Sequence, residues 1–272
     1  MAGEQKLYLE NLEGGIAKIV WNNPPLNLTT MDLMAEFERL LRQVADDSAV
    51  RVVIIAAEGE RAFCVGSDIK EFPLISDNFI EKKLRRENAV FSRIEAMPKP
   101  VIAAINAPAL GGGCEMALAC DFRVMDEKAK IGQPEINLGT FPGSGGVFRL
   151  PALVGYSRAM EMLCLGTTLT AQEALEAGLI NRIAPAGKVD ETAYEFALQL
   201  SCKATFALRC IKQAVRAALT QTNAEGVELS LRLSEEIFKT EDSLEGVQAF
   251  LDKRQPKFKG APDVFVNKGE RK

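Results

Sequence analysis

The hydrophobic rhythm of the chain changes along its length. "LYLE" and "IAKIVW" near the start are short apolar runs that predict two paired strands, and after "NNPPLN" a helical periodicity runs from about 30 to 45. A β-α alternation follows. "RVVIIAAE" (51–58) and "KPVIAAINA" (99–107) are continuously apolar strands, and between them about 78–95 reads as one amphipathic helix. Continuous rather than alternating strands predict a sheet covered on both faces. Beyond Gly112 come a short apolar helix, the strand "DFRVMD" and a Gly/Pro-rich stretch from 132 to 146. From Gly146 onward the patterns are almost entirely helical, with helices expected over 157–165, 170–177, 189–201, 205–219, 224–238 and 243–253. The expected organisation is an α/β region over 1–190, a helical region over 191–253 and a weakly structured basic tail over 254–272. No internal repeat is visible.

Composition narrows the function classes. A chain of 272 residues with 47% hydrophobic content can bury one large core, or one core with a helical appendix. The 33 basic and 37 acidic residues leave a net charge of −4, which gives no general affinity for nucleic acid or membrane; an anionic ligand must be met locally. The six cysteines form no CxxC pair, and the N-terminus lacks the basic start and apolar stretch of a signal peptide, so reduced thiols in the cytoplasm are expected. No apolar run approaches the roughly 20 residues that cross a bilayer. The chain contains no histidine. That excludes Ser-His-Asp and Cys-His mechanisms and removes the commonest zinc ligand, which leaves carboxylates, thiols, lysines and backbone amides as reagents, and no metal is expected.

Carboxylates in unusual settings become the candidates. In "APALGGGCEMALACD", Gly111, Gly112 and Gly113 join a buried strand to a helix, and Glu115 stands in that helix's first turn among apolar neighbours. The glycines read equally as a tight corner or as a turn that aims a bare amide at an anion or oxyanion. Neither a P-loop nor a dinucleotide fingerprint fits their spacing. Glu115 is either a carboxylate at the helix terminus or a base whose ionised form the macrodipole favours by roughly 0.3–1 kcal/mol. Glu135 follows Pro134 on a stiffened loop, facing water or a substrate. "FCVGSDIKE" (63–71) supplies a second glycine turn in which Ser67 offers a backbone amide and Asp68 reads as a cap.

On these segments, "FCVGSDIKE", "KPVIAAINAPALGGGCEMALACDFRV", "IGQPEINLGTFPGSGGVFRLPALVG" and "LTAQEALEAGLINRI", the chain resembles the enoyl-CoA hydratase/isomerase (crotonase) family, over about 5–259. The resemblance implies an α/β fold built as a crotonase-like spiral of ββα units, followed by a C-terminal helical trimerisation region, with trimers commonly paired into hexamers. It implies an acyl-CoA thioester substrate and no cofactor, CoA entering as part of the substrate. It puts the amides of Ser67 and Gly112 on the thioester oxygen, and Glu115 and Glu135 on the glutamates that hydratases use. It also implies contacts to substrate or CoA from Val65, Gly66, Asp68, Ile69, Gly111, Phe141 and Gly143, and from Phe250 and Lys253 of "AFLDKR" reaching a neighbouring subunit's nucleotide.

Hydration of a conjugated C2=C3 bond needs what such a constellation offers: a base for water at C3, an acid at C2 and stabilisation of enolate charge. The expected activity is therefore enoyl-CoA hydratase. Other reactions of the family stand beside it: double-bond isomerisation, and hydration or dehydration of carnitinyl or cyclic dienoyl thioesters. A non-catalytic scaffold that binds RNA is the reading from a different class. Asn106-Ala107 and Val65-Gly66 depart from the family's usual Asn-Gly and Ala-Gly, and Val65 adds bulk where the bound CoA bends. The acyl lining is expected from the segment between Glu71 and Phe91, from Phe141 and from the C-terminal helices.

Overall fold

The computed structural model describes residues 5–260. Strands β1 (Leu7–Leu12) and β2 (Ile16–Trp21) pair antiparallel, and β2 continues in parallel into β3 (Val52–Ala57), β4 (Val101–Ile105), β6 (Phe122–Asp126) and β9 (Arg182–Ala184), in that spatial order. Each parallel step needs a crossover, and three helices line the first of the sheet's two faces: α1 (Met31–Asp46), α2 (Arg85–Ala96) and α3 (Gly112–Ala119). Ile19, Trp21, Val53, Ile55, Val101, Ala103 and Ile105 point into that core, with Phe37, Phe91 and Met116 from the helices. Each such large side chain, fully buried, contributes roughly 1.5–3 kcal/mol.

The alternate residues Ile16, Val52, Ile54, Ile102, Ala104 and Val124 form a second core against α7 (Val189–Ser201), through Val189, Ala193 and Ala197. Both sheet faces are thus covered, as the continuous apolar strands predict. The boundary expected at residue 190 falls at the start of α7, and packing runs across it without a break. A smaller sheet joins β5 (Ala109–Leu110), β7 (Lys130–Gly132) and β8 (Thr168–Thr170). Around and beyond it lie α4 (Gly146–Val154), α5 (Tyr156–Leu165) and α6 (Ala171–Glu176).

The last third is helical. Helices α8 (Thr205–Ala217) and α9 (Asn223–Ile237) share a small core of Phe206, Cys210, Leu229 and Leu233, and α10 (Glu241–Leu251) follows. Thr222 and Thr240 cap α9 and α10, each accepting from a backbone N–H three residues on. Residues 254–260 form no helix or strand, yet they are tied down: the Asp242 carboxylate accepts from the N–H groups of Lys259 and Gly260, and Glu245 binds Arg254 and the Lys257 N–H. The remainder of the expected tail, 261–272, lies outside the described residues. Among the described residues, no helix is long and apolar enough to cross a membrane.

Candidate active site

Two glycine turns meet where β3 and β4 run out. Isolated bridges pair Cys64 with Ala109 and Thr29 with Ser67, drawing residues 64–67 alongside 109–112. The approach is closer than a side chain permits: a Cβ on Gly66 would lie 3.2 Å from the Gly112 nitrogen, and one on Gly113 would fall 2.0 Å from the Cys64 carbonyl oxygen. Gly66 and Gly111 also hold φ of 96° and 54°, a region that favours glycine. The close approach bears out the tight-corner reading of these glycines. The Ser67 nitrogen comes within 4.0 Å of the position a Gly112 Cβ would take. Neither the Ser67 nor the Gly112 N–H has an acceptor among the described residues.

Helix α3 begins at Gly112 and is buried along its whole length. Its C-terminal end is fixed by Arg123, whose Nη1 donates to the carbonyls of Ala117 and Cys120 while Nε donates to Leu179. Glu115, only 3% exposed, points from the first turn and accepts from the Gly146 N–H at 2.9 Å through Oε1. Burial pushes its carboxyl up to about 8; the Gly146 N–H opposes this and the charge of Glu135 adds to it.

Glu135 opens a 3₁₀ turn, Glu135–Leu138, directly after Pro134, and Gly139 closes the turn with φ of 72°. Its Oε2 is buried without a hydrogen-bond partner, and a Cβ on Gly111 would sit 3.3 Å from its Oε1. Burial raises this carboxyl too, against the pull of its own backbone N–H.

Glu115, Glu135, Ser67 and Gly112 all line one pocket of about 370 Å³. Of the residues expected from sequence, Val65, Gly66, Ser67, Ile69, Gly111, Gly112, Glu115, Glu135, Phe141 and Gly143 border it. Three do not. Asp68 caps the 3₁₀ segment Ile69–Ile75 by accepting from the Lys70 N–H at 3.1 Å. Phe250, 83% exposed on α10, and Lys253 just after it lie away from this chain's pocket.

The residues that sequence reasoning did not single out are polar ones that line the same pocket beside Glu115. Lys83 and Glu87 pair at 2.9 Å, and Ser144 donates to Glu87 at 2.6 Å. The sequence names their segment, but a Lys and a Glu four apart on an amphipathic pattern read as a solvated helix face. A further buried side chain, Gln133, lies against Gly146, where a Cβ would come within 2.5 Å of its amide.

Two carboxyls with raised proton affinity, beside two unpartnered amides in a largely apolar pocket, define an acid–base site that can polarise a carbonyl. The chain belongs to the enoyl-CoA hydratase/isomerase family, whose model matches residues 11–261. It is 36% identical over 244 residues to the short-chain-enoyl-CoA hydratase of Clostridium acetobutylicum, covering 89% of this chain and 94% of the relative. It is 38% identical over 247 residues to the mitochondrial enoyl-CoA hydratase of Pongo abelii, covering 90% and 83%. The crystal structure of enoyl-CoA hydratase from Bacillus anthracis superposes with a TM-score of 0.91 at 36% identity, over 94% of this chain and 100% of that one. The fold is the crotonase fold, with its C-terminal helical region.

Proposed function

We propose that this protein is an enoyl-CoA hydratase that adds water reversibly across the C2=C3 bond of a 2-enoyl-CoA thioester. The observation that carries the reading is the convergence of Glu115, Glu135 and the free N–H groups of Ser67 and Gly112 on one pocket. The thioester oxygen accepts from both amides. Glu115, oriented by Gly146, takes a proton from water as the water oxygen bonds to C3, and the C2=C3 electron pair moves into an enolate held by the amides. The enolate then takes a proton from Glu135 at C2, which leaves Glu115 protonated and Glu135 ionised; transfer of that proton back to Glu135 resets the pair for the next turnover. The nearness of Glu135 to Gly111, next to the oxyanion amides, supports its assignment to C2, the carbon adjoining the carbonyl. Hydration needs the pair to carry one proton, which burial favours on Glu115 in the resting pocket and which stands on Glu135 when water attacks, so its protonation belongs to the two groups jointly.

Every group in this scheme comes from the chain and its substrate, so no cofactor is invoked. The apolar residues exposed on α8 and α9, among them Ile211, Val215, Val227 and Leu231, support assembly through the C-terminal helices as a trimer or a pair of trimers. In such an assembly Phe250 and Lys253 meet a neighbouring subunit's CoA. The cysteines of the described chain are all free, which suits a reducing compartment, and we assign the protein to the cytoplasm. The test is incubation with crotonyl-CoA and mass spectrometry of the product. Gain of one water is expected; an unchanged mass with a shifted double bond would assign an isomerase instead.

A further inference from the structure

Lys83 and Glu87 form a buried ion pair on the pocket wall that the hydration scheme leaves unused. Their side chains are 3% and 4% exposed, with Nζ 2.9 Å from Oε1. Glu87 is fully engaged: Oε1 also accepts from Thr29 Oγ1 at 3.2 Å, and Oε2 accepts from Ser144 Oγ at 2.6 Å. Lys83 is not. An ammonium carries three N–H donors, and the bond to Glu87 is the one hydrogen bond Lys83 makes among the described residues. Its Nζ lies 5.8 Å from the ring centroid of Phe72, which also lines the pocket. Donors this deeply buried are costly unless something in the cavity accepts from them.

The pair stands on the Glu115 side of the pocket, because Ser144, which holds Glu87, is two residues from Gly146, which holds Glu115. The same pocket is lined by the apolar side chains of Phe72, Phe79, Leu84, Leu138 and Phe141, with Asn137 and Thr140 among its polar residues. The same two side chains also line a separate cavity of about 160 Å³ with Met31 and Met34, so they stand between the two spaces. An unsubstituted alkyl chain running towards them meets an ammonium it cannot satisfy.

We propose that Lys83 selects the acyl group: the pocket takes an enoyl thioester whose chain carries a neutral oxygen acceptor, a hydroxyl or carbonyl, beyond the double bond. The inference rests on the hydratase reading for the direction in which the thioester enters. The acceptor is neutral because Glu87 already balances the charge of Lys83. A substrate carboxylate would add an unpaired negative charge to a buried site that holds Glu87, Glu115 and Glu135.

The test is calorimetric binding of saturated, unreactive thioesters: 4-hydroxybutanoyl-, 5-hydroxypentanoyl- and 6-hydroxyhexanoyl-CoA, each against the chain with methyl in place of hydroxyl. At least one hydroxyacyl-CoA should bind about tenfold more tightly than its methyl counterpart, as a bond to a charged donor implies. Lys83→Met should bring that ratio to one or below. So should Lys83→Met combined with Glu87→Met, which leaves no lone buried carboxylate and keeps the test open if the single variant does not fold. Wild-type ratios of one or less for all three chains would overturn the proposal. So would a ratio that survives the double variant, or tighter binding of succinyl-, glutaryl- or adipyl-CoA than of the hydroxyacyl thioesters. Because binding is read without turnover, failure here is separate from failure of the hydratase reading, which would show as crotonyl-CoA left unhydrated.

Discussion

Replacing Glu115 by Gln should stabilise the protein while disabling it, and the gain should grow with pH. Burial moves this carboxyl from its ordinary 4.5 to about 8 in the folded chain. Between those values the folded protein keeps a proton that the unfolded chain has released, so stability falls as pH rises through that window. Below 4.5 both states are protonated and the effect vanishes. At about 1.4 kcal/mol per pH unit, the loss is under about 1 kcal/mol at pH 5, about 3 kcal/mol at pH 7 and close to about 5 kcal/mol above pH 8. A glutamine retains an oxygen for the Gly146 N–H and has no ionisation, so the variant escapes this loss. Urea unfolding of both proteins at pH 5, 7 and 8.5, followed by circular dichroism, measures the difference. A stability gap in favour of Glu115→Gln that widens with pH is expected; a gap that is constant, or that narrows, would refute the assignment of a proton-holding carboxyl at this site.

Four further outcomes follow from the same geometry. The pH dependence of kcat/KM should be bell-shaped, falling above about 8 as the pair loses its last proton and falling at low pH as both carboxyls protonate; Glu135→Gln should remove one limb. Gly112→Pro replaces one oxyanion N–H by a ring carbon at the first position of α3, where a helix tolerates proline, and should cost at least about 10²–10³ in kcat/KM by steady-state assay with the fold retained by circular dichroism. Gly113→Ala would drive a Cβ into the Cys64 carbonyl at 2.0 Å and should lower the urea midpoint sharply or prevent recovery of soluble protein. Lys253→Ala should raise KM for crotonyl-CoA several-fold with little change in kcat, as expected for a residue that meets only the nucleotide.

The sequence was most legible where one periodicity held without interruption. Helix α1 spans Met31–Asp46 where 30–45 is predicted, and α9 spans Asn223–Ile237 where 224–238 is predicted, because each carries one apolar stripe and a Thr cap. Strands β2, β3, β4 and β6 of the main sheet read clearly since both their faces are largely buried. The short strands β5, β7, β8 and β9 were not legible: runs of two or three residues carry no rhythm, and they exist because neighbouring segments present free backbone edges.

The stretch predicted as one helix over 78–95 divides into a π turn, Ile80–Leu84, and α2, a change of winding with no residue signature. That division bears on the site, since Lys83 lies in the π turn and is buried where a solvated lysine is expected. Glu115, Glu135 and the glycine turns were legible because acids among apolar residues and clustered glycines are rare patterns with few physical uses. Lys83, Glu87 and Ser144 were not, because three ordinary polar residues become a network only when α2 and the 143–146 loop meet. Asn88, donating to the Gly143 carbonyl at 2.9 Å, helps join those two segments.

The most direct measurement is the initial rate of loss of the conjugated enoyl-thioester absorbance of crotonyl-CoA with wild type, Glu115→Gln and Glu135→Gln, each checked for folding by circular dichroism. Rapid loss in the wild type, with a fall of about 10²–10⁴ in each folded variant, is the expected result. A folded Glu115→Gln or Glu135→Gln protein that hydrates crotonyl-CoA at the wild-type rate would contradict a two-carboxylate mechanism in this pocket.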